Sequence, residues 1–153
     1  MKFISKLSFT VLILLSITMK ITAQTKQDSL DIERVTLDYI VSQHTPNGEQ
    51  MKKALHPRLV KRTFWRDEKS KIEYVRETNA EVMVIVAETF NTDGKHFPKN
   101  PKKEVKLLDV SERTASVKLI ADEWIDYMHI VKVNGKWQIV NVLWQYHDAT
   151  KHQ

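Results

Sequence analysis

Cysteine is absent from the 153 residues, glycine occurs 3 times and proline 4 times. Without a thiol the chain can form no disulfide, thiolate zinc site, iron–sulfur cluster or cysteine nucleophile. So few glycines cannot assemble a phosphate loop or a dinucleotide fingerprint, each of which needs several close together. The six histidines show no HExxH or HxH spacing, so no metal centre is expected. With 42% hydrophobic and 28% charged residues, the chain has the make-up of one globular domain that can bury a core without staples.

The formal charge of +5 raises the question of an anionic partner. Its source is mostly the N-terminus. Lys2 and Lys6 precede an apolar stretch from Leu7 to Met19 that ends in small residues, the layout of a secretory signal peptide. The stretch is shorter than the roughly 20 residues of a membrane-spanning helix. Cleavage after Ala23, within a few residues, removes Lys2, Lys6 and Lys20, so Lys+Arg falls from 24 to 21 against 19 Asp+Glu and the charge to +2. The expectation is an exported, periplasmic or secreted domain over residues 24–153 with no lasting membrane anchor. Basic and aromatic residues do interleave in KRTFWR and KHFPKNPKK, as in single-strand-binding grooves. The near-neutral mature charge and export argue against nucleic acid.

From Asp28 to Gln43, Ile32, Val35, Tyr39 and Ile40 share one helical face. A second short helix starts at the capping pair Asn47 and Gln50, buries Met51, Ala54 and Leu55, and stops at Pro57, which leaves His56 at an element boundary. Two strand-like segments follow around the turn Asp67 to Ser70. Thr78 and Glu81 have the spacing to cap a third helix whose buried stripe is Val82, Ile85, Val86 and Phe90. After a polar loop come strands over Glu104–Val110, Ala115–Trp124, Ile125–Val133 and Trp137–Gln145. This order predicts an α+β fold with helices laid on one face of a curved, mainly antiparallel sheet.

Asn134-Gly135 reads as a two-residue hairpin turn that pairs Val133 with Lys136. Counting outward without interruption puts Asp126, Met128, Ile130 and Lys132 on one face with Trp137, Ile139, Asn141 and Leu143. The opposite face then carries Ile125, Tyr127, His129 and Val131 with Gln138, Val140, Val142 and Trp144. Asp126 would sit among apolar neighbours, where burial favours the neutral acid and makes it a candidate hydrogen-bond donor.

Two segments, MKKALHPRLVKRTFWRD and DEWIDYMHIVKVNGKWQIVNVLWQ, resemble the family labelled "putative lumazine-binding" within the nuclear transport factor 2-like superfamily. The resemblance spans nearly all of the mature chain. It implies a cone-shaped barrel of the SnoaL-like, ketosteroid-isomerase-like kind, also described as a cystatin-like α+β roll. It further implies a pocket between helices and sheet, and a homodimer through the outer sheet face. Ketosteroid isomerases place a tyrosine and a protonated aspartate against a developing oxyanion, and Tyr39 and Asp126 fall close to those places. Where those enzymes carry their catalytic carboxylate, this chain has Arg62 and Thr63, which cannot serve as that base.

The expected function is binding of a small, partly apolar ligand without a cofactor. Tyr39, Trp65, Asp126, Met128, Trp137, Ile139 and Asn141 are the candidate pocket residues. Two alternatives stay open. One is an isomerase or dehydratase in which Tyr39 and Asp126 stabilise an enolate and His56 acts as base, with Arg62 and Trp65 beside it. The other is a protein-interaction dimer whose cone is filled by its own side chains.

Overall fold

The computed structural model describes residues 26–153; the expected signal segment and its cleavage site lie outside them. The first helix, α1, covers residues 26–44 and buries Ile32, Val35, Tyr39 and Ile40, the face their spacing requires. Asp28 in its first turn accepts hydrogen bonds from Lys132 Nζ at 2.6 Å and Trp137 Nε1 at 2.9 Å. Those two bonds hold the Asp28 carboxyl below its ordinary value and tie α1 to the final hairpin.

Helix α2, Gly48–Ala54, is capped as expected, with Asn47 Oδ1 accepting from the Gln50 amide at 3.0 Å. Strand β1 follows at once and runs Leu55–Arg66, so Leu55 belongs to it and not to the helix. Its pairing with the last strand breaks between Leu55 and Val60, the stretch in which Pro57 has no N–H to give. Strand β2, Glu73–Asn79, returns antiparallel to β1. In the turn between them the Ser70 amide and hydroxyl both donate to Asp67 Oδ1, at 2.7 and 2.8 Å.

Helix α3, Ala80–Thr89, departs from the expected pattern. Its cap is Asn79, which accepts from the Val82 amide at 2.9 Å, because Thr78 is held in the sheet opposite Lys61. The face turned to the core is the small set Ala80, Met83 and Ala87, while Val82, Ile85 and Phe90 are exposed. Part of the predicted buried stripe therefore borders open space.

Strands β3 (Lys103–Val110), β4 (Thr114–Ala121), β5 (Trp124–Val133) and β6 (Lys136–Tyr146) complete the sheet, and a short 3-10 turn follows at Ala149–Lys151. The strand order is β2-β1-β6-β5-β4-β3, parallel between β1 and β6 and antiparallel elsewhere. β2 and β3 each keep one free edge. The sheet is thus the curved cone expected, with its two edges not joined into a closed barrel. Met51, Leu59, Val117, Leu119, Ile130 and Ile139 are among the buried residues between the sheet and the helices.

The final hairpin corrects the sequence reading at one point. Asn134 and Gly135 both take positive φ, +50° and +76°, as a two-residue turn of this hand requires. Pairing proceeds as counted from Val133 with Lys136 to Ile130 with Ile139, but His129 then pairs with Asn141, leaving Val140 as an extra residue. This β-bulge turns over the outer half of β6. Val142 and Trp144 join Asp126 and Met128 on the inner face, and Asn141 and Leu143 move to the outer one. Leu143 is accordingly 55% exposed and Val142 fully buried.

Candidate functional site

Alternation along β1 turns Leu59, Lys61, Thr63 and Trp65 to the inner face, and the burial of the first three follows it. Inside the cone, Lys61 meets Tyr39 from α1 and Asp126 from β5. Lys61 Nζ donates to the Tyr39 hydroxyl at 2.6 Å and lies 3.4 Å from Asp126 Oδ1, at ion-pair distance without hydrogen-bond alignment. Asp126 Oδ2 accepts from Trp124 Nε1 at 3.0 Å. The ammonium also stands 4.8 Å from the centre of the Trp144 ring and 5.4 Å from that of Tyr39.

Burial governs the electrostatics of this trio. Tyr39 and Asp126 are 0% exposed and Lys61 is 8% exposed. Loss of water pushes the Tyr39 hydroxyl up to about 12, with the Asp126 charge adding to the shift. It also pushes the Asp126 carboxyl above its ordinary value, against the pull of Lys61 and the Trp124 N–H. For Lys61 burial works downward, but Asp126 and Tyr39 outweigh it and hold the ammonium above its usual value. Lys61 is therefore the firmly charged member of the group.

Above Lys61 opens a cavity of about 320 Å³. Trp65, Trp124, Trp144, Tyr146 and Phe90 supply ring surfaces. Val82, Met83 and Val86 of α3 close the other side, and Gln43, Thr63 and Thr78 add polar groups. Lys61 and Arg76 are the charged groups in the lining, with the Arg76 guanidinium 4.6 Å from the centre of the Trp65 ring. Among the described residues no carboxylate or imidazole lines it.

Behind the aromatic wall sits His152, 2% exposed. Its Nε2 accepts from the Tyr146 amide at 2.9 Å, and its Nδ1 lies 3.4 Å from Thr63 Oγ1. With Nε2 accepting, a neutral ring carries its proton on Nδ1. The ring packs against Phe64, Trp65, Trp144 and Tyr146 at centroid distances of 4.2 to 5.7 Å.

Of the residues singled out from sequence, Trp65 lines the cavity, and Tyr39 and Asp126 lie together behind Lys61. Met128 and Ile139 are packed in the core, 1% and 0% exposed. Trp137 is 5% exposed with its N–H committed to Asp28, away from the cavity lining. Asn141 is on the outer face, where it accepts from Arg62 and contacts His129. His56 stays at the junction of α2 and β1, its Nδ1 accepting from the Arg58 amide at 3.1 Å. Arg62 also faces outward, paired with Glu77 at 2.9 Å, so it does not stand beside Trp65. Lys61, Trp144 and Tyr146 were not singled out from sequence. The period of two places Lys61 with Leu59, Thr63 and Trp65, a signal that could have found it.

An oxyanion site of the ketosteroid isomerase type needs its tyrosine and acid to reach the ligand. Here neither Tyr39 nor Asp126 has exposed surface, and the member of the trio that lines the cavity is Lys61. Among the described residues no group of three or more His, Asp or Glu is placed to hold a metal.

The sequence matches the family described as "Putative lumazine-binding" over residues 27–145. Among curated proteins none matches it. Solved structures of similar fold include an NTF-2 like protein of unknown function from Silicibacter pomeroyi, 11% identical, covering 80% of this chain and 98% of that one with a TM-score of 0.62. A "Putative Scytalone Dehydratase" from Novosphingobium aromaticivorans is 15% identical over 82% of this chain and 87% of its own, with a TM-score of 0.55. A ketosteroid isomerase-like protein from Erwinia carotovora atroseptica is 12% identical over 78% and 95%, with a TM-score of 0.53. At these identities the likeness is one of fold. With the match covering most of its length, the chain belongs to the "Putative lumazine-binding" family and has a nuclear transport factor 2-like fold.

Proposed function

We propose that the protein binds a small, partly apolar molecule in the cavity above Lys61 and does not transform it. The observation that carries this reading is the lining itself: five aromatic rings and an aliphatic helix face around one buried ammonium. Apolar walls with a few placed polar groups are the general make-up of a ligand site. The family's name points to a flat, nitrogen-containing ring system, which suits walls of this kind. Isomerisation or dehydration through an enolate would call for a base at the substrate, and the lining supplies neither carboxylate nor imidazole.

Two further parts of the reading concern where the protein works and in what state. The signal-like N-terminus supports export, and N-terminal sequencing of the mature protein should begin at Gln24 or within a few residues of it. Phe64, Tyr127 and Leu143 expose 40%, 44% and 55% of their surface on the outer face of adjoining strands. That apolar face supports a homodimer. Ligand binding is tested by native mass spectrometry of protein purified from its own cell envelope. A bound small molecule, released on unfolding and identified, is the expected result; protein that carries nothing and takes up nothing from an envelope extract would contradict the reading.

A further inference from the structure

Lys61 does more than fill a place in the wall. Its ammonium carries three N–H donors; the Tyr39 hydroxyl takes one and Asp126 attracts a second. At least one is left without an oxygen or nitrogen acceptor from the protein, facing the Trp144 ring on a side chain that lines the cavity. In the empty cavity water can satisfy that donor. A ligand that fills the cavity removes the water, and an ammonium stripped of water without a replacement acceptor is strongly unfavourable.

The charge around the cavity has one sign. Asp126, the counter-ion of Lys61, lies behind it with no exposed surface, so an entering molecule meets the cation first. Arg76 adds a second cation on the same wall, since it pairs with Thr63, the next inward residue after Lys61 on β1. A cationic ligand would be repelled, and a neutral apolar one would leave the buried donor unmatched. An anionic oxygen gains a charge-assisted hydrogen bond in surroundings of low polarity, where such bonds are strongest.

Shape selects the rest of the molecule. Trp144 lies against the Lys61 ammonium and Trp65 under the Arg76 guanidinium, so each cation of the lining has an indole beside it. Flat rings against flat rings gain most from such walls. A volume of about 320 Å³ admits one or two fused rings.

We infer that the ligand is a planar aromatic acid of one or two rings, bound with its carboxylate against Lys61 and its rings along Trp65 and Trp144. This assignment rests on the cavity being the ligand site. It is tested with three matched probes, 2-naphthoate, 2-naphthamide and 2-naphthylmethylamine, by calorimetric titration of the full chain. Wild-type protein should bind the naphthoate about 10- to 100-fold more tightly than the amide, the worth of one hydrogen bond to a charged group, and the amine most weakly. Lys61→Met alone strands a buried acid, so the informative variant is Lys61→Met/Asp126→Asn, which removes both charges and keeps an acceptor for Trp124. Provided its melting transition stays cooperative, it should retain amide binding and lose the preference for the naphthoate. Equal binding of all three probes by wild-type protein, or a preference that survives in the double variant, overturns the assignment of an anion to Lys61 but leaves the cavity as a ligand site. Binding of none of the three overturns both.

Discussion

Lys61 Nζ lies 2.6 Å from the Tyr39 hydroxyl and 3.4 Å from Asp126 Oδ1, and all three side chains are buried. Removing one member of a buried ion pair leaves the other charge without compensation, at about 3–5 kcal/mol. Asp126→Ala should therefore lower unfolding free energy by about that amount at pH 7, because it removes the counter-charge that offsets the burial of Lys61. Lys61→Met should cost less at low pH than at high pH. Burial already pushes Asp126 above its ordinary value, and without Lys61 the acid can take up a proton. The sign follows from linkage: a raised carboxyl favours the fold below its folded value and loses that advantage as pH rises through it. Denaturant unfolding of both variants between about pH 5 and pH 8 separates the two behaviours. The Lys61→Met/Asp126→Asn double variant should lose less stability than the two single losses summed.

Two buried imidazoles make the fold sensitive to acid. His152 and His44 are both held below the ordinary value of 6.5, in each case first by burial. A depressed histidine adds stability above its unfolded value, and that stability is lost as pH falls through 6.5 toward the folded value. Protonated His152 must also give up the bond it accepts from the Tyr146 amide, loosening the wall that carries Trp144 and Tyr146. The melting temperature should fall as pH drops from neutrality to about 5, and His152→Phe should flatten part of that fall. An unchanged pH profile in the variant would remove His152 from this role.

The outer face gives a separate prediction about assembly. Leu143 is more than half exposed and lies between Arg62 of β1 and Tyr127 of β5. Leu143→Glu should shift the molecular weight in solution from dimer to monomer while leaving the fold intact, as light scattering after gel filtration would read. A wild-type monomer, or a dimer unaffected by the substitution, would contradict a dimer through this face.

How far these features can be read from sequence depends on whether local rules decide them. The Asn134-Gly135 turn, the α1 stripe of Ile32, Val35, Tyr39 and Ile40, and the Asn47 cap follow from backbone preference and periodicity, and the structure has all three. The extra residue at Val140 is different. A bulge leaves no mark in the alternation IVNVLW, where nearly every position is apolar, and one added residue exchanges Asn141 and Leu143 for Val142 and Trp144 on the inner face. Lys61 was obscured for another reason. A lysine in a strand is usually at the surface, and only the meeting of β1, α1 and β5 supplies Tyr39 and Asp126 to make its burial tolerable. The stripe on α3 misleads in a similar way, because residues that line a cavity look apolar in sequence exactly as core residues do.

The most direct test of the central claim is native mass spectrometry comparing wild-type protein with Val86→Trp, both purified from the native host. Val86 lines the cavity from α3, so an indole at that position would occupy the space above Lys61 without disturbing the buried trio. The account predicts that wild-type protein carries a small molecule and that the variant, with a comparable melting temperature, carries none. Retention of the same bound mass by Val86→Trp would place the ligand elsewhere and contradict the account.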